Sequence, residues 1–357
     1  MQKSSKPIRI ALYVVGAVVL VAAVFILQLF HSAGQFKTLE PHFAGSCTVV
    51  PGIVGAEDIT VHPRTGVAYI SAADRRSFLA GGRARGGIYA YDLKADSPEL
   101  QNLTPAAGED FLPHGLSLQM GDDGRDALYV INHAGGRHTI EVYDLAGTQL
   151  SHRETLSDPL LVSPNDLVAV GQDRLYVTND HANAAGFARQ LEDYLQRAIS
   201  TVIYYDGENF VEAASGIRYP NGVNVSGDGE TLYVASTTGG SVFVFRIDPD
   251  SKTLEESGII EVGTGVDNIE VDPKGSLWIG AHPKLLTFVQ HTGDATVFAP
   301  SQVIRIDDPD TGSPRVNEVL LSLGEDLSGS SVAAVRGDRL LVGSVMDDGL
   351  LDCRIGP

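Results

Sequence analysis

A hairpin-forming pattern recurs six times along the chain, and no other feature narrows the fold as far. The copies are EDITVHPRTGVAYIS from Glu57, HGLSLQMGDDGRDALYVIN from His114, NDLVAVGQDRLYVTN from Asn165, NGVNVSGDGETLYVAS from Asn221, DNIEVDPKGSLWIGA from Asp267 and SSVAAVRGDRLLVGS from Ser330. Each opens on two polar or small residues and runs through an alternating apolar strand. It then turns at Gly, Asp or Pro and returns on a second strand of the LYV type,. A third strand follows most copies (GIYAYDL, TIEVYDL, TVIYYDG, SVFVFRID, QVIRIDD), and a weaker fourth follows several (LSHRETL, FVEAAS, VNEVLLSL). Four strands per unit and six units predict an all-β, six-bladed β-propeller with four-stranded blades. The sixth unit ends after its third strand, GLLDCRI, and the orphan segment SCTVVPGIV ahead of the first repeat supplies the missing one. That pairing sets Cys47 and Cys353, the two cysteines of the chain, on neighbouring strands, where an oxidising compartment would bridge them,.

Residues 10–30, IALYVVGAVVLVAAVFILQLF, carry no charge and are long enough to cross a bilayer core of about 30 Å at about 1.5 Å per residue,. Lys3, Lys6 and Arg9 precede the run, which predicts a cytoplasmic N-terminus and an extracytoplasmic remainder,. The run exceeds an ordinary signal-peptide core and is followed by a weak cleavage site, so an uncleaved anchor is the reading. The predicted organisation is a basic tail over 1–9, an anchor over 10–30, a linker over 31–45 and a propeller over 46–357. The formal net charge of −19 opposes nucleic-acid binding and suits divalent cations,. One stretch breaks the repeat: Asn183 to Ser200 reads as an amphipathic helix with Phe187, Leu191, Tyr194, Leu195 and Ile199 on one face,. It would cap the tunnel, wall a pocket or touch the membrane.

Inner strands line the tunnel of a propeller, so equivalent positions of the repeats form rings. The first ring is Glu57, His114, Asn165, Asn221, Asp267 and Ser330; the second is Asp58, Gly115, Asp166, Gly222, Asn268 and Ser331. Asn, Asp and Gly at strand starts are ordinary turn chemistry. Glu and His are not, and carboxylates and amides converging from several blades match calcium, which takes 6–8 oxygen ligands, better than magnesium or zinc.

The segments EDI, FLPHGLSL, VINHAG, PNDLVAVG, TNDH, NGVN, VDNIEVDP, LWIGAHP and the terminal cysteine, in this order, resemble the paraoxonase/arylesterase family from about Cys47 to Cys353. The resemblance implies a calcium-dependent hydrolase of lactones and aryl or carboxylic esters, with small-molecule substrates and two Ca2+. Glu57, Asn165, Asn221, Asp267 and Asn268 would hold a catalytic calcium. Asp58, Asp166 and the Leu116 carbonyl would hold a structural one. His114 and His133 would form a dyad activating water, with Glu57 or Asp267 as alternative bases, and His181 and His282 would be pocket residues. The loop Arg75 to Gly87 and the inserted helix do not match, which leaves substrate choice open. His62, His138, His152 and His291 read as surface or turn residues. No G-x-S-x-G elbow, H-E-x-x-H or phosphate loop occurs,. Two other readings remain: a gluconolactonase-like sugar-lactone hydrolase, and a non-catalytic adhesion or receptor propeller rigidified by calcium.

Overall fold

The computed structural model describes residues 6–82, 85–108, 111–121, 124–133 and 136–356; most of the basic tail lies outside them. Twenty-four strands form six four-stranded antiparallel sheets, each running from an inner strand outwards in chain order, as the repeats predict. The inner strands are Ala56–Val61, Pro113–Gln119, Pro164–Gly171, Pro220–Val225, Gly265–Val271 and Ser330–Arg336. In the sixth blade the outer strand is Gly45–Val54, paired antiparallel with Asp348–Ile355 and with Cys47 opposite Cys353; the two are joined by a disulfide. The ring is therefore closed covalently as well as by backbone hydrogen bonds. The fifth blade gains an added edge, His42–Phe43, against Arg315–Ser322.

The apolar core is split into six layers, one between each pair of neighbouring blades. This follows from strand alternation: on the second strand of the first blade, Tyr69 faces the second blade while Ile70 faces the sixth,. The LYV-type tyrosines Tyr69, Tyr129, Tyr176 and Tyr233 are fully buried, and their hydroxyls need partners,. All four donate across to a turn of the next blade: Tyr69 to the Gly147 carbonyl at 2.7 Å, Tyr129 to Asp173 at 3.3 Å, Tyr176 to the Lys252 carbonyl at 2.6 Å, and Tyr233 to Asp310. Each of the first four blades thus carries a polar tie to its neighbour.

Helix α1 (Lys6–Ser32) contains one segment, Arg9–Ser32, long and apolar enough to cross a membrane, and the side chains of that segment are exposed except for the half-buried Leu29. The chain that follows is docked on the propeller. Leu285 N–H donates to the Ala33 carbonyl at 3.0 Å, and Lys37 Nζ donates to the Gly263 carbonyl at 2.6 Å. Three short helices stand on the same side: α2 (Arg75–Leu79), α3 (Gly186–Leu195) and α4 (Leu285–Gly293).

Helix α3 forms within the stretch that the sequence marks out. Its buried residue is Glu192, while Phe187 is 73% exposed and Tyr194 and Leu195 are also exposed. The Glu192 carboxylate accepts from Ala182 N–H at 2.8 Å, Asn183 N–H at 3.2 Å and the Ser200 hydroxyl at 2.7 Å. These bonds turn the acidic edge inward and leave the apolar face outside. His62 and His291, read as surface residues, are buried: His62 pairs with Asp126 at 3.1 Å and His291 with Asp347 at 2.9 Å, so each imidazole ties separate segments together.

Candidate active site

Every inner strand carries a register shift against its second strand near its start: between Ala56 and Asp58, Pro113 and Leu116, Pro164 and Leu167, Pro220 and Val223, Val266 and Ile269, and Ser330 and Val332. A regular strand would send consecutive side chains to opposite faces. A bulge re-aims one of them, so both members of a pair can face the axis. This is why Glu57 with Asp58, Asn165 with Asp166, and Asp267 with Asn268 all meet in the tunnel, buried. The alternate repeats carry glycine at the second position for a steric reason. A Cβ on Gly115 would stand 2.5 Å from Asp166 Oδ1, and one on Gly222 would stand 2.4 Å from the Asp267 carbonyl.

The donors fall into two tiers. In the upper tier Glu57 Oε2, Asn165 Oδ1, Asn221 Oδ1 and Asn268 Oδ1 are buried oxygens without a hydrogen-bond partner. Orphaned buried acceptors are costly, and their convergence from blades one, three, four and five makes a cation the natural partner. Asn268 Nδ2 donates to Glu57 Oε1 at 2.8 Å, which turns its own oxygen to the tunnel. His282 Nε2 lies 2.7 Å from Asp267 Oδ2, with its ring stacked on Phe288. In the lower tier Asp58 accepts from Ile59 and Leu116 N–H groups at 2.8 Å, and Asp166 accepts from Leu167 at 2.7 Å and Val223 at 2.8 Å. Each aspartate thereby stitches its own blade to another. Burial, reinforced by the neighbouring carboxylates, pushes the Asp58 and Asp166 carboxyls well above their usual range,. Burial also raises Glu57 and Asp267, against the pull of Arg75 on Glu57 and the His282 hydrogen bond on Asp267. Among the described residues no three His, Cys, Asp or Glu side chains form a metal group by themselves. The upper set is mixed, with two carboxylates and three amides, an all-oxygen set of the kind calcium takes.

Above the upper tier lies a cavity of about 500 Å3 with Glu57, His114, Asn165, Asn221 and Asp267 at its base. Its walls include His181, Tyr219, His282, Phe288 of α4, Tyr194 of α3, and Leu29 and Ala33 at the end of α1. His114 Nε2 stands 3.6 Å from Glu57 Oε1, and its ring meets His133 edge-on at 5.0 Å between centroids. Burial first, then the Arg75 guanidinium, lowers His114 to about 3, so the imidazole is neutral at pH 7. Burial and the adjoining imidazoles hold His133 well below its ordinary value.

Sequence reasoning missed three participants. His133 Nδ1 lies 2.8 Å from His138 Nδ1, so the His114–His133 pair continues outward to a third imidazole. Asp180 sits beside this group. It bonds His181 Nδ1 at 2.7 Å, and His181 Nε2 bonds Asp193 of α3 at 2.6 Å. Burial opposes the charge on His181, but the two carboxylates outweigh it and push it up to about 9. Arg75 spans three segments, donating to the Gly55 carbonyl at 3.0 Å and the Pro113 carbonyl at 2.7 Å. Asp180 stood in the TNDH motif and was legible there; Arg75 and His138 lie in irregular segments that no repeat indexes.

The family model described as Arylesterase matches residues 39–354. Serum paraoxonase/arylesterase 2 of Rattus norvegicus is 34% identical over 314 residues, 84% of this chain and 86% of that protein. Serum paraoxonase/arylesterase 1 of Homo sapiens is 32% identical over 326 residues, 88% of this chain and 90% of that protein. Among solved structures, regucalcin from Agrobacterium tumefaciens, described as a calcium-binding protein, superposes with a TM-score of 0.53 at 16% identity. It covers 88% of this chain and 95% of its own. A gluconolactonase from Xanthomonas campestris gives 0.52 at 17% identity, covering 89% and 98%. At such identities these structures speak to the propeller alone.

Proposed function

The chain belongs to the arylesterase family and is an ester and lactone hydrolase; we propose that it works through two calcium ions in the tunnel and a histidine pair beside them. The observation carrying this reading is the set of four orphaned oxygens, Glu57 Oε2, Asn165 Oδ1, Asn221 Oδ1 and Asn268 Oδ1, under the cavity. With Asp267 they would hold the upper ion, and Asp58, Asp166 and the Leu116 carbonyl the lower one. Bound there, calcium supplies a Lewis acid that polarises the carbonyl and stabilises the oxyanion.

The remaining steps belong to side chains. His114, neutral and opening on the cavity, accepts the proton of the attacking water,. His133 packs edge-on against that ring and holds its orientation. Phe288, Leu285, Val289 and Tyr194 present an apolar wall to the alkyl or aryl part of the substrate and exclude water,.

We also assign the apolar helix as a membrane anchor with the propeller outside the cytoplasm, a reading that the disulfide supports,. The outward apolar face of α3 supports this, because Gln196 Nε2, just beyond α3, donates to Ser32 Oγ at the end of α1 at 3.1 Å. That contact supports an anchor lying near the exposed face.

The test is hydrolysis of aryl esters and γ- and δ-lactones by the purified protein, with and without chelator. Activity should vanish with EDTA and return with calcium. His114→Gln should keep its calcium and fold but lose about 10²–10⁴-fold in turnover. Wild-type turnover in His114→Gln would move the base to a carboxylate, Glu57 first. A fully active chelated enzyme would remove calcium from the reading.

A further inference from the structure

The opposite mouth of the tunnel holds a group that neither tier uses. Glu270 lies two residues past Asn268 on the inner strand Gly265–Val271. Strand alternation gives Ile269 to the core layer between blades four and five and sends Glu270 away from it, toward the axis,. There the Thr60 hydroxyl, on the first blade, reaches Glu270 Oε2 at 3.4 Å. A second cavity, about 740 Å3, opens at this mouth and is lined by Asp58, Thr60, Leu116, Asp166 and Glu270. It thus contains the lower tier together with two further carboxylates, Glu270 and Asp272, of which Asp272 is taken up by the N–H groups of Lys274, Ser276 and the Trp278 indole. Among the described residues, no Lys, Arg or His makes an ion pair with Glu270.

We propose that Glu270 is a further member of the lower calcium site, adding a third carboxylate on the side facing the open mouth. The inference rests on the lower-calcium reading above. The donor count favours it. Asp58 and Asp166 each spend one lone pair of both oxygens on backbone N–H groups, and with the Leu116 carbonyl they offer few ligands to an ion that takes 6–8,. Glu270 supplies oxygens from the fifth blade, at the cavity that Asp58 and Asp166 also line.

The consequence is specific to calcium binding and does not need turnover to be read. Wild type, Glu270→Gln and Asp166→Asn are stripped with chelator, then titrated with calcium against a competing indicator, and melted across a range of free calcium. Glu270→Gln should weaken one of two binding steps by about tenfold or more, since ligand charge count sets affinity at such sites. Its calcium-free melting temperature should hold or rise, because a like charge has left the ring, while its melting temperature in saturating calcium falls below wild type. A merely structural glutamate would lower both. Glu270→Asp, with its charge retained on a shorter arm, should fall between and serves if the amide variant folds poorly. A Glu270→Gln titration superimposed on wild type, with Asp166→Asn losing a step, would refute the role of Glu270 alone. If Asp166→Asn also superimposed, the lower site itself would be refuted.

Discussion

Helix α3 is held over the cavity by a charged clamp, and the clamp should open with rising pH. His181 bonds Asp180 through Nδ1 and Asp193 through Nε2, at 2.7 and 2.6 Å. Both nitrogens face carboxylates, so both must donate and the ring is an imidazolium. Its pKa, pushed up to about 9 from an ordinary value near 6.5, corresponds to about 3 kcal/mol at about 1.4 kcal/mol per unit,. The downward shift of Asp180 is the same contact seen from the acid, so it is not added. The Asp193 side chain is 44% exposed and its share is screened, which leaves about 2 kcal/mol as the expectation,. A raised folded-state pKa fixes the sign: the stabilisation is complete below about pH 6.5 and is lost as pH climbs through about 9. The assay is urea unfolding of wild type and His181→Gln from pH 6 to pH 10 in saturating calcium, with hydrogen exchange of residues 186–195 alongside. The gap between the proteins should close by about 2 kcal/mol over that range, and the α3 amides of wild type should lose protection in step. Curves that stay parallel from pH 6 to pH 10 would show that His181 is not charged in the fold.

Two further outcomes test the ring and the tiers. Cys47→Ser opens a loop of 306 residues, which the chain-entropy model puts at about 5–6 kcal/mol as an upper figure,; we expect a loss of a few kcal/mol in chemical denaturation and proteolysis starting in Gly45–Val54 and Asp348–Ile355. Asp58→Ala and Asp166→Ala should chiefly lower the melting temperature, because each carboxylate also ties blades together through backbone N–H groups, while Asn221→Ala and Asp267→Ala should chiefly lower kcat. Equal effects of all four on both readouts would mean that the tunnel does not divide into two tiers.

What could be read from the sequence followed the repeat. Copies of one hairpin index their positions against each other, so the rings, the blade order and the closure of the sixth blade by Gly45–Val54 were visible before any coordinates. The orientation of α3 was left open by its apolar spacing; Glu192, accepting from Ala182, Asn183 and Ser200 in the segments flanking the helix, decides which side turns in. His62 and His291 misled for a related reason: a histidine next to a turn looks exposed until a partner far along the chain, Asp126 or Asp347, is brought beside it. Arg75 belongs to the same class, since its acceptor Pro113 is near it only once the second blade packs on the first.

The site itself depends on a departure from the regularity that made it legible. Perfectly alternating inner strands would present one residue of each pair to the axis and lose the other to a core layer, giving a single ring of donors. The shift at the start of every inner strand delivers both, and the glycines Gly115 and Gly222 let neighbouring strands approach closely enough for the pairs from alternate blades to meet,. Two tiers of oxygen along one axis therefore come from a repeated backbone irregularity combined with alternating residue size. The lower tier is tied into the backbone of the blades through Asp58 and Asp166, while the upper tier keeps its oxygens free. That asymmetry is the physical ground for expecting an ion held for stability below and an ion open to substrate above.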